Sequence, residues 1–317
     1  MQKILTPHGA GLVWSFTFVI LEAAQAVFFG SLFQRVDSFL VGLIVFGTTS
    51  AIALGWVALQ VPSQLSRAIS QPASLLGMNV TAAGGWIAYL LAVQLIEPTI
   101  AFAIFSGMVP LTTIAAARLR VLEASGSRNK LEASGNLIVG VSLLLMGGAT
   151  ALGLSGFVRG GGAVAVAGVG LAALSGALIT WMLFYCRRLD SNGVGPMAQF
   201  GLRFLLYLPL SAGGLLLGLD EKEESAATDL VAVLAVGVVL MAFPIYAVQR
   251  AVSLVTPLTI ATITALGPLF VFVFQTIEGR IGYSYATLVG LAIYFAGSIL
   301  ATIGGGLATR ISERQAA

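Results

Sequence analysis

The sequence predicts an all-α integral membrane protein with ten transmembrane helices, arranged as two inverted five-helix repeats. Three observations predict this fold: the composition, the distribution of Lys and Arg between loops, and a similarity between the two halves. Hydrophobic residues make up 58% of the chain and charged residues only 9%, and the mean hydropathy is +0.98. So few charges cannot cover a surface that faces water, so lipid must be the solvent for most of the chain.

Ten continuous apolar stretches are each long enough to cross a bilayer, which takes about 20 residues in a helix. Continuous stretches exclude the alternating pattern of a membrane β-barrel. The expected spans cover 11–33, 39–60, 74–95, 98–117, 135–154, 163–186, 197–219, 229–249, 257–277 and 284–306.

Lys and Arg favour cytoplasmic loops, and this bias sets the orientation. With the N-terminus inside, the inner loops and tails carry eleven basic residues: Lys3, Arg67, Arg118, Arg120, Arg128, Lys130, Arg187, Arg188, Arg250, Arg310 and Arg314. The outer loops carry four: Arg35, Arg159, Lys222 and Arg280. The sequence therefore predicts cytoplasmic termini and an even number of spans.

The two halves, 1–158 and 159–317, share an ordered series of short matches. Residues 92–98 (AVQLIEP) align with 251–257 (AVSLVTP), and Pro110 then aligns with Pro268 after a gap of one residue. Five spans per repeat is an odd number, so the second repeat must be inverted relative to the first, as in many secondary transporters.

The second half carries a family resemblance in three segments: 246–261 (YAVQRAVSLVTPLTIA), 265–270 (ALGPLF) and 278–290 (EGRIGYSYATLVG). They resemble the short polar turn, the proline-containing span and the acidic turn before a glycine-bearing span of the drug/metabolite transporter superfamily, in its ten-span EamA-like branch. The first half is similar but has a longer segment at 118–134. The resemblance implies alternating access around a central cavity, used for metabolite export or exchange.

Glu22 is the most informative single residue because it lies near the middle of the first expected span. A carboxylate there costs about 3 kcal/mol on insertion scales, so it should face the protein interior. At helical spacing it shares a face with Ser15 and Gln25. We expect Glu22 to bind a substrate cation or carry a proton; the alternative is a structural hydrogen bond to another helix.

Arg203 is the one basic residue inside an expected span. Gln199, Arg203 and Tyr207 recur every four residues and would share a face of a continuous helix. Arg203 either extends toward the cytoplasmic interface or faces the cavity, where it would clamp an anion or pair with Glu22.

The resemblance also implies that the first, third, fourth, sixth, eighth and ninth spans line the cavity. Side chains on these spans are then candidate substrate contacts: Asn79, Trp86, Ser106, Trp181, Tyr246 and Thr262. For each aromatic residue among them the alternative is interfacial anchoring or packing, which is favoured for Trp181.

Pro110 and Pro268 interrupt the fourth and ninth spans, where a proline removes a backbone hydrogen bond and kinks a helix. We expect them to act as gating kinks, with static packing as the alternative. Glu97 and Glu278 lie near loops, where a solvated structural role is expected, and 220–229 reads as a solvated acidic loop.

The function expected from these features is secondary transport of a small polar or amphipathic metabolite, driven by proton coupling or exchange. No cofactor, metal or nucleic acid is expected: the sequence has a single Cys, Cys186, a single His, His8, and no phosphate-binding loop. An organellar nucleotide-sugar antiporter would need several cations for phosphate, and a lipid-modifying membrane enzyme would need a polar cluster at one interface. A bacterial inner membrane is the expected location, with lipid and a small-molecule substrate as the partners.

Overall fold

The computed structural model describes residues 7–119, 129–220, 222, 227–252, 254–255, 257–282 and 284–316, and gives no side-chain placement for the first two residues of α1 and for some residues within the later helices. Thirteen helices account for most of this part of the chain. In order they are α1 (Pro7–Leu32), α2 (Ser38–Gln60), α3 (Ser63–Ile69), α4 (Pro72–Leu95), α5 (Pro98–Arg118), α6 (Lys130–Ala151), α7 (Gly162–Ser191), α8 (Pro196–Leu202), α9 (Tyr207–Leu216), α10 (Ala227–Val252), α11 (Pro257–Thr264), α12 (Gly267–Glu278) and α13 (Tyr285–Ala316).

Several helix starts follow from local chemistry. The Asp37 carboxylate accepts from the backbone N–H groups of Phe39 at 2.7 Å and Leu40 at 3.0 Å, which caps α2. Asn129 caps α6 in the same way. Helices α4, α5 and α8 each carry a proline in the first turn, where the missing N–H costs nothing.

Seven of the described helices are long and apolar enough to cross a membrane: α1, α2, α4, α5, α6, α7 and α13. Their outward faces carry large apolar side chains such as Leu59, 83% exposed, and Leu144, 78% exposed. Those faces suit hydrocarbon rather than water. The all-α class is therefore confirmed over the described residues, and the chain has the character of an integral membrane protein.

The seventh expected span, 197–219, is not one helix. Helix α8 ends at Leu202, residues 203–206 form turns, and α9 begins at Tyr207. The backbone N–H of Leu206 in this break donates to Oδ1 of Asn79 on α4 at 3.1 Å. The expectation that Gln199, Arg203 and Tyr207 share one continuous face is wrong, because the helix between them is interrupted.

The two repeat-related prolines have different surroundings. Pro110 lies inside the unbroken helix α5. Pro268 lies in the first turn of α12, directly after the break that separates α11 from α12. Only Pro268 therefore marks a helix break, so the expected ninth span, like the seventh, consists of two shorter helices.

Close helix packing depends on glycine. The largest helix contacts are α6 with α13 and α4 with α7. Between α6 and α13, a Cβ on Gly135 would lie 2.6 Å from the carbonyl oxygen of Gly297 and closer still to the backbone N of Ala301. The two backbones are thus in contact, which is how small residues stabilise helix pairs in lipid.

Polar side chains join the loops at one end of the bundle, which we call the Glu97 end. It comprises the α1–α2, α4–α5, α6–α7, α9–α10 and α12–α13 connections. Glu97 is 0% exposed; its carboxylate accepts from Nε2 of Gln275 at 2.5 Å, Oγ1 of Thr287 at 2.8 Å and the N–H of Gly156 at 2.9 Å. The expected solvated role of Glu97 is therefore wrong: it is a buried acceptor for donors from α12, α13 and the α6–α7 connection.

Asp220 forms a second polar group at the same end. Its side chain is 9% exposed, forms an ion pair with Lys222 and accepts from the hydroxyl of Ser38 at 2.7 Å. Burial alone would raise the pKa of the Asp220 carboxyl, but hydrogen bonds from Lys222 and Ser38 outweigh it and hold the pKa below the ordinary value. At Asp220 the expectation of a solvated loop is wrong; residues 221 and 223–226 lie outside the described part.

Candidate functional site

Glu22 and Gln25 form the polar centre of α1. Glu22 is half-buried, and no hydrogen bond or ion pair links its carboxylate to the part of the chain that the structure describes. Gln25 is 1% exposed, and its Nε2 has no hydrogen-bond partner there either. A buried polar group without a partner costs about 1–3 kcal/mol, so the Gln25 amide nitrogen is energetically unfavourable where it lies.

Helix α4, which carries Trp86 and Tyr89, packs on α1. The Tyr89 hydroxyl lies within electrostatic range of the Glu22 carboxylate. The rings of Trp86 and Tyr89 are perpendicular, with centroids 6.0 Å apart. The indole N–H of Trp86 is buried and has no acceptor among the described residues. Gln25 on α1 and Trp86 on α4 thus each bury a nitrogen without a partner among the described residues.

Aromatic rings close one side of this region. The ring centroid of Phe46 on α2 lies 5.0 Å from that of Trp86, 4.1 Å from that of Phe204 in the α8–α9 break and 4.8 Å from that of Tyr207. On the other side, Phe105 of α5 lies 5.0 Å from Tyr89. Trp86 and Tyr89 of α4 therefore belong to an aromatic cluster that α2, α5, α9 and the α8–α9 break complete.

Arg203 contacts that cluster through Phe204. Its guanidinium carbon is 5.1 Å from the ring centre of Phe200 and 5.6 Å from that of Phe204, which are cation–π distances. The two ion pairs of the described residues join Lys222 to Asp220 and Arg280 to Glu278, so Arg203 does not pair with Glu22. The Arg203 Nε is buried without a partner in the described chain.

Other sequence-predicted residues bond within or between helices. The Ser15 hydroxyl donates to the carbonyl of Gly11 at 2.9 Å, one turn earlier in α1. Ser106 of α5 is 3.0 Å from the hydroxyl of Tyr294 on α13. Asn79 supports the α8–α9 break, and Tyr207 is 1% exposed against Phe46. These side chains already have partners within the protein.

The Trp181 ring is perpendicular to that of Phe184 on the same helix, with the two ring centroids 5.9 Å apart. The backbones of Tyr246 and Thr262 lie in α10 and α11. Their side chains fall outside the described part of the chain.

Tyr89, Phe46 and Phe204 belong to the site but were not predicted from the sequence. Tyr89 had a usable signal, because it follows Trp86 by three residues and so shares its helix face. Phe46 and Phe204 had none, since 18 phenylalanines are spread along the chain.

A separate groove of about 370 Å³ opens between α1 and α12. It is lined by Ala24, Val27, Phe28, Ser31, Phe274 and Glu278, and neither Glu22 nor Gln25 borders it. Among the described residues no three of His, Cys, Asp and Glu are grouped to hold a metal ion. The unpartnered polar atoms, rather than the groove, mark the candidate site.

One solved structure, described only as "Crystal structure of protein", superposes with a TM-score of 0.62 at 18% sequence identity. The match covers 95% of this chain and 98% of that one, so the two share their fold over nearly their whole lengths. No protein-family model matches the chain, and no curated protein matches it.

Proposed function

We propose that this chain is a secondary transporter that moves a small polar or amphipathic metabolite across a membrane by alternating access. The observation that carries the proposal is the Glu22 carboxylate in an apolar helix bundle, without a hydrogen-bond partner among the described residues, together with the unpartnered Gln25 Nε2 one turn along the same helix. Ionisable groups inside such bundles are costly and typically mark substrate or proton pathways. No covalent chemistry is assigned to the site.

Ten spans fit the helices if each broken pair, α8–α9 and α11–α12, counts as one span and α10 as another. Discontinuous spans are common at transporter binding sites, where the freed backbone lines a cavity or is satisfied by neighbours. The packing of the Asn79 amide on the α8–α9 break is an arrangement of this kind.

Helix packing supports two related halves, with the boundary after residue 158. If each span corresponds to the span five positions away in the chain, then α4 corresponds to α10, α5 to the α11–α12 pair and α7 to α1. The α4–α7 contact then corresponds to the α1–α10 contact, and the α5–α7 contact to the contacts of α1 with α11 and α12. All of these contacts are present. By the same correspondence, the α2–α10 contact matches the α4–α9 contact, which is also present. The α6–α13 and α5–α12 contacts each join two corresponding spans, so each matches itself. Because each half has five spans, such a relation requires an axis in the membrane plane, hence inverted repeats.

The charge bias supports cytoplasmic termini, with the Glu97 end facing outward, in a bacterial inner membrane. A reporter fused after Ala317 should be active only in its cytoplasmic form. A periplasmic signal would contradict the predicted orientation; combined with a cytoplasmic N-terminus, it would contradict the even span count and the inverted repeat.

The drug/metabolite transporter superfamily remains the proposed affiliation, on the segments at 246–261, 265–270 and 278–290. Within it, a nucleotide-sugar antiporter is less favoured. A diphosphate needs several cations, and Arg203 already lies over two phenylalanine rings.

The proposal is tested with purified protein in vesicles of phosphatidylethanolamine and phosphatidylglycerol. Uptake and counterflow of a panel of labelled amines, amino acids, sugars and organic acids are measured with and without a pH gradient. Glu22-dependent movement of at least one compound class is expected. If no compound of the panel moves faster than it does in protein-free vesicles, the transport proposal is wrong.

A further inference from the structure

Buried polar bonds join the two proposed halves of the chain at the Glu97 end. Glu97 of the first half accepts from Nε2 of Gln275 at 2.5 Å and from Oγ1 of Thr287 at 2.8 Å, both in the second half. All three residues are buried. The Ser284 hydroxyl also donates across the boundary, to the carbonyl of Leu154 at 2.7 Å. These bonds hold the connections before α5 and α7 against α12 and α13.

At the opposite end, the side-chain bonds between the halves lie closer to solvent in the described part of the chain. Oε1 of the half-buried Gln64 accepts from the backbone N–H of Gly195 at 2.9 Å, and Nη1 of the exposed Arg67 donates to the carbonyl of Gly193 at 3.3 Å. Water can replace bonds that lie near solvent, whereas a buried bond must stay paired. The Glu97 end is therefore the more firmly closed of the two.

The sequences of the two repeats differ at the residues that form this buried pair. The alignment of the two halves places Thr256 at the position of Glu97, and Ala117 at that of Gln275. The carboxylate–carboxamide pair thus has no counterpart in the other repeat. Transporters with inverted repeats open their two ends alternately by moving one bundle against the other. A bond that exists at one end only favours the conformation in which that end is closed.

We propose that Glu97, Gln275 and Thr287 form a lock that keeps the Glu97 end of the transporter closed, and that the described structure is the conformation closed at that end. The end opens when the Glu97–Gln275 bond breaks, which frees the α4–α5 connection from α12. This inference rests on the proposed transport function, because it names a gate of that transporter. A purely structural bond would lower stability when removed but would not change which end is open.

Thr99 is suited to report the opening of this end. It is 0% exposed, its backbone N–H donates to Oε1 of Gln275 at 3.3 Å, and its hydroxyl has no partner among the described residues. Thr99→Cys in a Cys186→Ser background therefore places a single thiol at the lock without removing a bond of the lock. Alkylation of this thiol by iodoacetamide, a neutral reagent, is measured on purified protein in lipid nanodiscs, where both ends are accessible to the reagent.

Gln275→Met keeps the length of the side chain and the charge of Glu97 but removes both polar atoms. Alkylation should become roughly 10- to 150-fold faster, the value of a hydrogen bond to a charged group. Exchanging the two groups, Glu97→Gln with Gln275→Glu, restores a carboxylate–carboxamide pair and should slow alkylation again. Thr276→Val is the matched control, because the Thr276 hydroxyl bonds within α12, to the carbonyl of Phe272 at 2.7 Å.

A distance measurement separates opening of the whole end from local fraying around Thr99. Spin labels are attached at Arg35→Cys and Ile277→Cys, again with Cys186→Ser; both positions are exposed, one in each half at the Glu97 end. Electron resonance then gives the distribution of distances between the labels. Gln275→Met should add a second, longer distance, and Thr276→Val should leave the distribution as it is without the substitution.

Two results would overturn the inference. One is a Gln275→Met variant that melts earlier but keeps the original alkylation rate and label distance, which would leave the bond with a structural role alone. The other is alkylation of the exchanged pair as fast as that of Gln275→Met. If Gln275→Met does not fold, Thr287→Val removes one donor to Glu97 while keeping the shape, and the same two measurements decide.

Failure of the lock and failure of transport are distinguishable. If a compound of the panel moves in vesicles while Gln275→Met changes neither alkylation nor distance, transport stands and only the lock fails. If no compound moves, the transport proposal fails whatever the labels report.

Discussion

The Gln275 side chain joins α12 to the α4–α5 connection through both of its polar atoms. Its Nε2 donates to the Glu97 carboxylate at 2.5 Å, and its Oε1 accepts from the backbone N–H of Thr99 at 3.3 Å. Glu97 and Gln275 are 0% and 2% exposed. Residues 178 positions apart thus form one buried polar unit, which ties the two halves of the chain together at the Glu97 end.

Replacing Glu97 with Gln should destabilise the fold. The amide has one acceptor oxygen where the carboxylate has two, so at least one of the donors from Gln275, Gly156 and Thr287 loses its partner. One buried donor without a partner costs about 1–3 kcal/mol. Unfolding by SDS titration in mixed micelles measures the change.

Glu278→Gln is the matched control for this experiment. Glu278 lies at the same end, but its side chain is 24% exposed and its partner is the partly exposed Arg280 at 3.2 Å. Such a pair contributes about 0–1 kcal/mol. Equal losses in the two variants would show that Glu97 has no special structural role.

The stability contribution of Glu97 should depend on pH. Burial raises the pKa of its carboxyl above the ordinary 4.5, although hydrogen bonds from Gln275, Gly156 and Thr287 lower it in part. The folded state therefore binds this proton more tightly than the unfolded state. The resulting stabilisation is complete below the pKa that Glu97 has in the unfolded state. It is lost as pH rises through the higher pKa that Glu97 has in the folded state.

The measurement is the difference in melting temperature between wild type and Glu97→Gln, taken at several values from about pH 7 to about pH 5. Subtracting the variant removes the contributions of other groups, including Asp220, whose lowered pKa acts in the opposite direction. The melting temperature of wild type should exceed that of Glu97→Gln by more at low pH than at neutral pH. A difference that shrinks would mean that the pKa of Glu97 is lowered in the folded state.

The sequence predicted the long helices because their signal is local. An unbroken apolar run such as that of α2 or α7 predicts both a helix and its location in lipid. The α8–α9 break could not be predicted in this way. The acceptor for Leu206 N–H is Asn79, 127 residues earlier, and a sequence pattern does not show that contact.

The site was predictable only where one residue conflicts with its surroundings. Glu22 stands out because a carboxylate is rare in an apolar span. Glu97 did not, because a glutamate at a span end looks ordinary, and its burial depends on Gly156, Gln275 and Thr287 from three distant segments.

Close packing of α6 on α13 makes a prediction for Gly135→Ala. The added Cβ would meet backbone atoms of Gly297 and Ala301, which cannot rotate away as a side chain can. Overpacking of this kind costs about 1–3 kcal/mol, so the melting temperature and the yield of folded protein should fall.

Gly148→Ala on the same helix provides the comparison. No atom lies within 4 Å of a Cβ at Gly148, so melting should be unchanged or slightly raised, since alanine restricts the unfolded chain. Equal melting temperatures for Gly135→Ala and wild type would contradict the backbone contact between α6 and α13.

Asn79→Leu should weaken the break between α8 and α9. The variant removes the acceptor for Leu206 N–H, and in an apolar bundle no water replaces it, so a loss of about 1–3 kcal/mol is expected. Thr81→Val on the same helix is the control, because the Thr81 hydroxyl bonds only within α4, to the carbonyl of Gly77 at 2.7 Å and that of Met78 at 3.3 Å. If both variants melt alike, the α8–α9 break does not depend on Asn79.

Glu22→Gln tests what the unpartnered carboxylate does. The amide keeps the shape of the side chain but cannot ionise, and with no protein partner to lose it should leave the melting temperature unchanged. If Glu22 carries a proton, gradient-driven transport should be abolished while substrate exchange persists in part. If Glu22 neutralises a substrate cation, both modes should fail, with affinity lower by roughly 10- to 150-fold. Flux in reconstituted vesicles, normalised to the amount of folded protein and compared with Glu278→Gln, separates these outcomes. Normal, pH-dependent transport by the variant would leave Glu22 with a structural role alone.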